Sequence, residues 1–441
     1  MKKANEPEIV TFGCRLNVFE GEVMRGAARR AGLENAVIFN TCAVTAEATR
    51  QARQAIRRMA RDHPGRQIIV TGCAAQIAPE DFADMPQVAR VVGNQEKLKV
   101  ETWARAVPEN RNETGALVEV DDIMERASVD ASMVEGLEGR TRAFVQVQNG
   151  CDHRCTFCII PYGRGPSASV PQGAVVEQVR RLVGNGFREV VLTGIDINSY
   201  GPDLPGRPKL GRLVEQILAH VPELERLRFG TLDPAAIDDK LFDLMVSDPR
   251  VMPHAHFSMQ AGDDMILKRM KRRHLRAEAI GLTKALKKAR PEIMFGADFI
   301  AGFPTETDEM FESTLGFVDE ADLTFLHVFP YSVREGTPAA KMPQVPGDII
   351  RARAARLRAK GDEALARHLA RQVGTRQKTL VERDDFGHTD QYTRLRIEGG
   401  AAPGSLCTAR ITGHDGKALI GEIDSVHGDQ SGSETKVSQA L

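Results

Sequence analysis

Short apolar runs alternate with amphipathic stretches through the N-terminal quarter of the chain. Residues 9–13, 37–41, 68–72 and 88–92 are rich in Ile, Val and Phe, are bounded by small residues, and read as strands. Between them, residues 18–31, 46–61 and 79–85 carry the spacing of helices with one buried face. Strand alternating with helix predicts an open parallel α/β sheet of flavodoxin-like character. Ligands of such sheets bind outside the carboxyl ends of the strands.

Residues 121–140 are acidic and aperiodic, and read as a linker. A second series follows, with strands expected at 144–148, 189–194, 227–232, 256–260, 296–301 and 326–331. Helices are expected at 174–184, 210–219, 237–246 and 277–289. Six such units make a partial (β/α) barrel, because a full eight-unit barrel normally needs more residues. The exits Thr193-Gly194, Gly230-Thr231 and Gly302-Phe303-Pro304 lie where barrel active sites are built. Residues 347–376 read as a basic helix, and from residue 378 short β-type stretches alternate with Gly and Asp turns. The expected organisation is an N-terminal domain (1–120), a linker (121–140), a central barrel (141–372), a small all-β module (373–427) and a polar tail (428–441) expected to be disordered.

Composition narrows the partners. The 441 residues carry a formal net charge of −1, so a nucleic acid would have to be held by local basic patches. No apolar run reaches the roughly eighteen residues that a membrane span requires. The opening MKKANEPEIV lacks the apolar stretch of a secretory signal. A cytoplasmic protein without a membrane partner is expected. In that compartment clustered cysteines serve metal or redox chemistry more often than disulfides.

Six of the seven cysteines form two groups of three. Cys151, Cys155 and Cys158 share one short loop after the first barrel strand. Three thiolates can hold three irons of a [4Fe–4S] cluster and leave the fourth iron open to a small molecule. The alternative is zinc, which requires a fourth ligand. His153 lies between two of the cysteines, but so tight a spacing makes it an awkward fourth ligand. Cys14, Cys42 and Cys73 instead each end a predicted strand, so they can converge at one sheet edge or simply fill space there. Cys407 stands alone and reads as a buried small hydrophobe.

The loop CDHRCTFC, with Phe157 in the aromatic position, resembles the signature of radical S-adenosylmethionine (SAM) enzymes. With the turns TFGCRLN, FNTCAVT and VTGCAAQ upstream, the chain resembles the methylthiotransferases from about residue 8 to about 425. The resemblance implies two [4Fe–4S] clusters and SAM as cofactors. Cys151, Cys155 and Cys158 would ligate the cluster that cleaves SAM, and Cys14, Cys42 and Cys73 an auxiliary cluster where the sulfur to be transferred resides. It further implies SAM-handling positions at Phe157, Gly194, Asp196, Thr231, Asp233, Ser258, Gln260 and Asp298. The C-terminal module resembles the TRAM domain, an RNA-binding barrel. A low-potential electron donor such as flavodoxin or ferredoxin is implied as partner. Ala168, Gly230 and Ala261 depart from residues common in the family, and none is a cluster ligand.

Three substrates belong to this family: isopentenyl-adenosine and threonylcarbamoyl-adenosine at tRNA position 37 in the anticodon loop, and an aspartate of a ribosomal protein. LHVFPYSVREGTPAAKM, TFGCRLN and RMKRRH resemble the threonylcarbamoyl branch. Tyr331 and Arg334 are then candidates to contact the threonyl carboxylate, or else they cap the last barrel strand. Methylthiolation at C2 of threonylcarbamoyl-adenosine is therefore expected, with the isopentenyl substrate as the alternative. A ribosomal-protein substrate, or a non-catalytic iron–sulfur RNA-binding protein, ranks below both. Two basic runs, Lys268, Arg269, Lys271, Arg272 and Arg273, and Arg351, Arg353, Arg356 and Arg358, fit an RNA partner.

Overall fold

The structure is a computed structural model and describes residues 6–105, 116–126, 128–129 and 131–427. The expected polar tail lies outside the described residues. Two compact units divide at Gly361, within the helix Gly347–Gln372.

The N-terminal sheet contains β1 (Glu8–Thr11), β2 (Ala36–Thr41), β3 (Gln67–Gly72), β4 (Arg90–Val92) and β5 (Leu117–Glu119). All pairs are parallel and the order is sequential, β1 to β5. β5 has three residues, too few to establish a period in the sequence. The apolar runs of β2 and β3 follow from burial on both faces. Val37, Phe39, Ile68 and Val70 point into a core with Ile56 and Phe82, while Ala36, Ile38 and Ile69 meet Met24, Ala27 and Trp103 on the other side. A sequential order has no switch point between neighbouring strands, so the carboxyl edge itself is the place for a site.

The second series forms an open, curved wall. Its strands are β6 (Arg142–Gln146), the short pair β7 (Gln148–Asn149) and β8 (Ala168–Ser169), and β9 (Glu189–Thr193). β10 (Arg226–Phe229), β11 (Thr231–Leu232), β12 (His254–Gln260), β13 (Met294–Ala301) and β14 (Leu323–Pro330) complete it. The third expected strand is split at Gly230: β10 pairs with β9, and β11 pairs with β12. The wall thus runs β6, β9, β10/β11, β12, β13, β14, as two parallel sheets. Helices Gln172–Gly184, Leu210–His220, Asp239–Ser247, Arg276–Ala289 and Asp308–Glu320 alternate with the strands, and their apolar faces join one continuous core.

The start of β9 carries a fully buried charge. Glu189 pairs with Arg226 at 2.7 Å and Arg228 at 2.9 Å. Burial alone would raise its pKa, but Arg228, Arg226 and Arg142 together hold the carboxyl well below the usual carboxylate range. The residues expected to be a linker are packed rather than free. Ile123, Val134 and Leu137 are buried, and the Val134 backbone exchanges hydrogen bonds of 2.7 and 2.8 Å with the Gln178 side chain.

The second unit contains a closed five-stranded barrel: β15 (Arg376–Arg383), β16 (Phe386–Thr389), β17 (Arg394–Glu398), β18 (Leu406–His414) and β19 (Leu419–His427). Its closure order is β15-β16-β17-β19-β18, which leaves no free sheet edge. Cys407 is fully buried in its core beside Val381, Leu395 and Leu419, as expected of the lone cysteine.

Candidate active site

At the carboxyl edge of the N-terminal sheet, Cys14 precedes the helix Arg15–Arg30, Cys42 follows β2, and Cys73 opens the short helix Cys73–Ile77 after β3. The three exits are stitched together by polar side chains. Asn17 Nδ2 donates to Phe12 O at 2.7 Å and Thr41 O at 3.1 Å, and Thr41 Oγ1 donates to Thr71 O at 2.6 Å. Cys42 and Cys73 are buried, whereas Cys14 is exposed. Burial, and then the neighbouring Cys73, push the Cys42 thiol up to about 12. Such a thiol keeps its proton until a cation displaces it.

Gly13 makes this convergence possible. Its φ of +94° is left-handed, and a Cβ there would lie 2.6 Å from both Cβ and Sγ of Cys42. Gly13→Ala is expected to lose the N-terminal centre. Iron analysis after anaerobic reconstitution should then fall from about eight to about four per chain, one cluster of four irons instead of two.

The second loop is held from three sides and by one bond of its own. Cys151 N donates to Gly165 O at 3.1 Å and Cys158 N to Cys155 O at 3.1 Å. Thr156 Oγ1 donates to Arg269 O at 2.8 Å, and Ala339 N donates to Thr156 O at 2.9 Å. Burial, and then Asp196, raise the Cys151 thiol to about 12, and burial raises Cys158 to about 11. Phe157 packs edge-on against Phe303, with ring centroids 6.4 Å apart.

The donor sets fit clusters better than single ions. Thiolates sharing one zinc at about 2.3 Å each stand roughly 3.8 Å apart. Among the described residues, the one group of three or more ligand atoms lying within 4.8 Å of one another is His256, Asp298 and His327, so the sulfurs of neither triad are drawn in around one ion. Cubane corners suit wider spacing and three ligands.

Several expected SAM positions come together beside the second loop. Asp196 accepts from His153 Nε2 at 3.0 Å and Ser199 Oγ at 2.6 Å. Although burial opposes it, these contacts hold its carboxyl below the ordinary range. Arg273 pairs with Asp233 at 2.8 Å and Asp196 at 4.0 Å. Arg272 Nη2 donates to Ser258 O at 2.8 Å and Ser258 Oγ at 3.0 Å, while Arg272 Nη1 lies 3.7 Å from Cys155 Sγ. Gly194 lies at the exit of β9, so close to Gln148 that a Cβ would meet Gln148 O at 2.7 Å. Thr231 stands exposed on β11 and makes none of the contacts that join this group.

Asp298 is part of a different arrangement. Its Oδ1 lies 2.9 Å from His256 Nε2 and 3.2 Å from His327 Nδ1. It also lines, with Gln260, a cavity of about 210 Å³ at the rim of the wall. Val44 and Thr45, just beyond Cys42, line the cavity from one side, Phe157 and Cys158 from another, and Tyr331 and Arg334 from a third. The Tyr331 hydroxyl and Arg334 Nε and Nη2 are buried without a hydrogen-bond partner among the described residues. Arg334 lies close to Cys42.

Four site residues were missed in the sequence. Buried Gln148 bridges the second loop to the exit of β9: its Nε2 donates to Gly150 O at 2.7 Å and its Oε1 accepts from Asp196 N at 2.9 Å. Arg272 was placed in an RNA-binding run, as was Arg273, yet both guanidiniums turn into the site. Arg164 reaches the N-terminal centre. In the other basic run, Arg353 is buried against Glu306 at 2.9 Å and Arg356 pairs with Glu312 at 2.7 Å. Those charges are therefore partly neutralised within the protein.

Residues 145–318 match the Radical SAM superfamily, and residues 7–93 match Uncharacterized protein family UPF0004. The chain is similar to a Rickettsia prowazekii protein named Threonylcarbamoyladenosine tRNA methylthiotransferase MtaB, at 49% identity over 94% of this chain and 96% of the relative. A protein of the same name from Bacillus subtilis is 33% identical, over 88% of this chain and 89% of the relative. A tRNA-2-methylthio-N(6)-dimethylallyladenosine synthase from Cereibacter sphaeroides is 34% identical, over 96% of this chain and 99% of the relative. Among solved structures, the radical S-adenosylmethionine methyltransferase TsrM from Kitasatospora setae, with cobalamin and a [4Fe–4S] cluster bound, aligns with a TM-score of 0.54 and 16% identity over 76% of each chain. That likeness is one of fold.

Proposed function

The chain belongs to the family of radical SAM methylthiotransferases that modify tRNA, and within it we propose that the substrate is N6-threonylcarbamoyladenosine at position 37, methylthiolated at C2. The observation that carries the choice is the unpaired donor pair in the rim cavity. Two buried nitrogens of a half-buried guanidinium and a buried phenol hydroxyl, all without partners among the described residues, are costly unless an acceptor arrives with the substrate. A threonyl carboxylate satisfies both, and an isopentenyl group satisfies neither. The 49% identity to a threonylcarbamoyladenosine enzyme agrees with this reading.

The two clusters, when bound, supply the electron that cleaves SAM and the sulfur that is transferred. Cys151, Cys155 and Cys158 hold the first, and Cys14, Cys42 and Cys73 the second. Asp196, Asp233 and Ser258, fixed by Arg272 and Arg273, bind the polar groups of SAM. Gly194 and Thr231 border that subsite, and Phe157 closes it against Phe303. Gln260 and Asp298 sit where the adenosyl group meets the substrate cavity. Tyr331 and Arg334 orient the substituted adenine so that C2 faces both centres, and the C-terminal barrel adds a further tRNA contact. A low-potential donor such as flavodoxin or ferredoxin delivers the electron. No helix among the described residues is long and apolar enough to cross a membrane. We place the chain in the cytoplasm with its tRNA.

Arg334→Met tests the substrate. Loss of a charged hydrogen bond to the carboxylate, worth about 1.5–3 kcal/mol, should lower kcat/KM on threonylcarbamoylated tRNA roughly 10- to 150-fold. Nucleoside mass spectrometry of tRNA from a deletion strain is the companion measurement. Disappearance of the isopentenyl-linked methylthio product alone, with the threonylcarbamoyl product intact, would assign the chain to the other substrate.

A further inference from the structure

Arg164 is a fully buried arginine in the short helix Ile160–Arg164, six residues after Cys158, yet its side chain belongs to the N-terminal centre. Arg164 Nε donates to Cys73 Sγ at 3.0 Å. Its Nη1 pairs with Glu20 Oε1, and Nη2 donates to Glu20 Oε2 at 3.0 Å and also to Asn17 Oδ1. Asn17 in turn holds the carbonyls of Phe12 and Thr41, the residues two before Cys14 and one before Cys42. One guanidinium therefore touches one cysteine directly and steadies the backbone before the other two.

The surroundings show what this arrangement requires. Glu20 and Lys97 are completely buried and 2.6 Å apart, so two cations face one carboxylate with no water to screen them. Arg164 brings the second of these cations to the Cys73 sulfur through a charge-assisted N–H···S bond. Close approach is also built in. Gly163 packs on the Cys73 helix so tightly that a Cβ would come within 3.2 Å of Cys73 Cβ.

We propose that Arg164 is a positioning residue of the auxiliary centre: it fixes the geometry of Cys14, Cys42 and Cys73, raises the affinity of the centre for an electron, and ties it to the loop that carries the SAM-cleaving centre. This rests on the reading of the N-terminal cysteines as ligands of a [4Fe–4S] cluster. A positive donor on a ligand sulfur stabilises the more negative, reduced cluster and so shifts its potential upward. Lysine can keep the charge but cannot reach sulfur, Glu20 and Asn17 at once, because it lacks the planar fork.

The test uses the full chain reconstituted anaerobically, with EPR-monitored redox titration of both centres. The wild-type protein is compared with Arg164→Lys, Arg164→Met, Glu20→Gln and the double variant Arg164→Met/Glu20→Gln, which removes the carboxylate left behind if the single variant fails to fold. The auxiliary centre of Arg164→Met should titrate at lower potential than the wild type, and that of the double variant lower than Glu20→Gln alone, with the Lys variant between Arg164→Met and wild type and the other centre unmoved. Methylthio transfer should fall about 10- to 100-fold, the usual cost of losing an outer partner of a metal ligand. An unchanged auxiliary potential in folded Arg164→Met against wild type, or in the double variant against Glu20→Gln, overturns the proposal, as does an equal shift at both centres. A wild-type protein that assembles one cluster only overturns the ligand reading and the proposal together.

Discussion

Cys155→Ala is expected to abolish SAM cleavage and, with it, all methylthio transfer. Of the three loop cysteines, Cys155 is the one that Arg272 approaches, at 3.7 Å, and Arg272 also grips Ser258 and Asp233. The sulfur proposed as a ligand is thus linked through Arg272 to the residues proposed to hold SAM. Removing it leaves two thiols, Cys151 and Cys158, and the nearby His153 already engages Asp196 at 3.0 Å. The measurement is release of 5′-deoxyadenosine under reductant. Release near the wild-type rate would show that this loop does not hold the SAM-cleaving cluster.

Cys42→Ala is expected to stop methylthio transfer while SAM cleavage continues. Cys42 is buried at the exit of β2, and its loop lines the substrate cavity through Val44 and Thr45. Its loss removes one of three ligands from the centre proposed to carry the sulfur, and reconstituted iron should fall from about eight to about four per chain. The other loop does not draw on β2, so its chemistry persists. Mass spectrometry of product nucleosides beside 5′-deoxyadenosine assays separates the two activities. Equal loss of both would contradict the division of labour between the triads.

The backbone of both α/β series was readable because buried parallel strands are continuous apolar runs. The expected limits of β2 and β3 differ from those in the structure by one residue. β5 escaped because three residues carry no period, and Gly230 hid the division of one strand into two. The cysteines stood out because a cluster would ask for a particular residue type at a particular spacing. Their supporting residues were not. Arg164 meets Glu20 across 144 positions of sequence and Gln148 meets Asp196 across 48, and no local pattern records such pairings. Arg272 misled because a run of basic residues looks the same whether it faces solvent or turns inward.

The separation of Cys14, Cys42 and Cys73 along the chain also bears on the order of events during synthesis. Their centre draws on the first three strands and receives its last contact from Arg164. The second loop is compact in sequence, yet Thr156 is anchored by Arg269 and by Ala339. Local spacing therefore does not mean early completion. As the chain leaves the ribosome and its domains fold in turn, the scattered centre can close while nearly all of the barrel remains to be made. The compact loop must wait for residues far downstream. A nascent chain halted shortly after residue 164 has emerged then holds every residue of the cluster site proposed for Cys14, Cys42 and Cys73, before the second loop has walls.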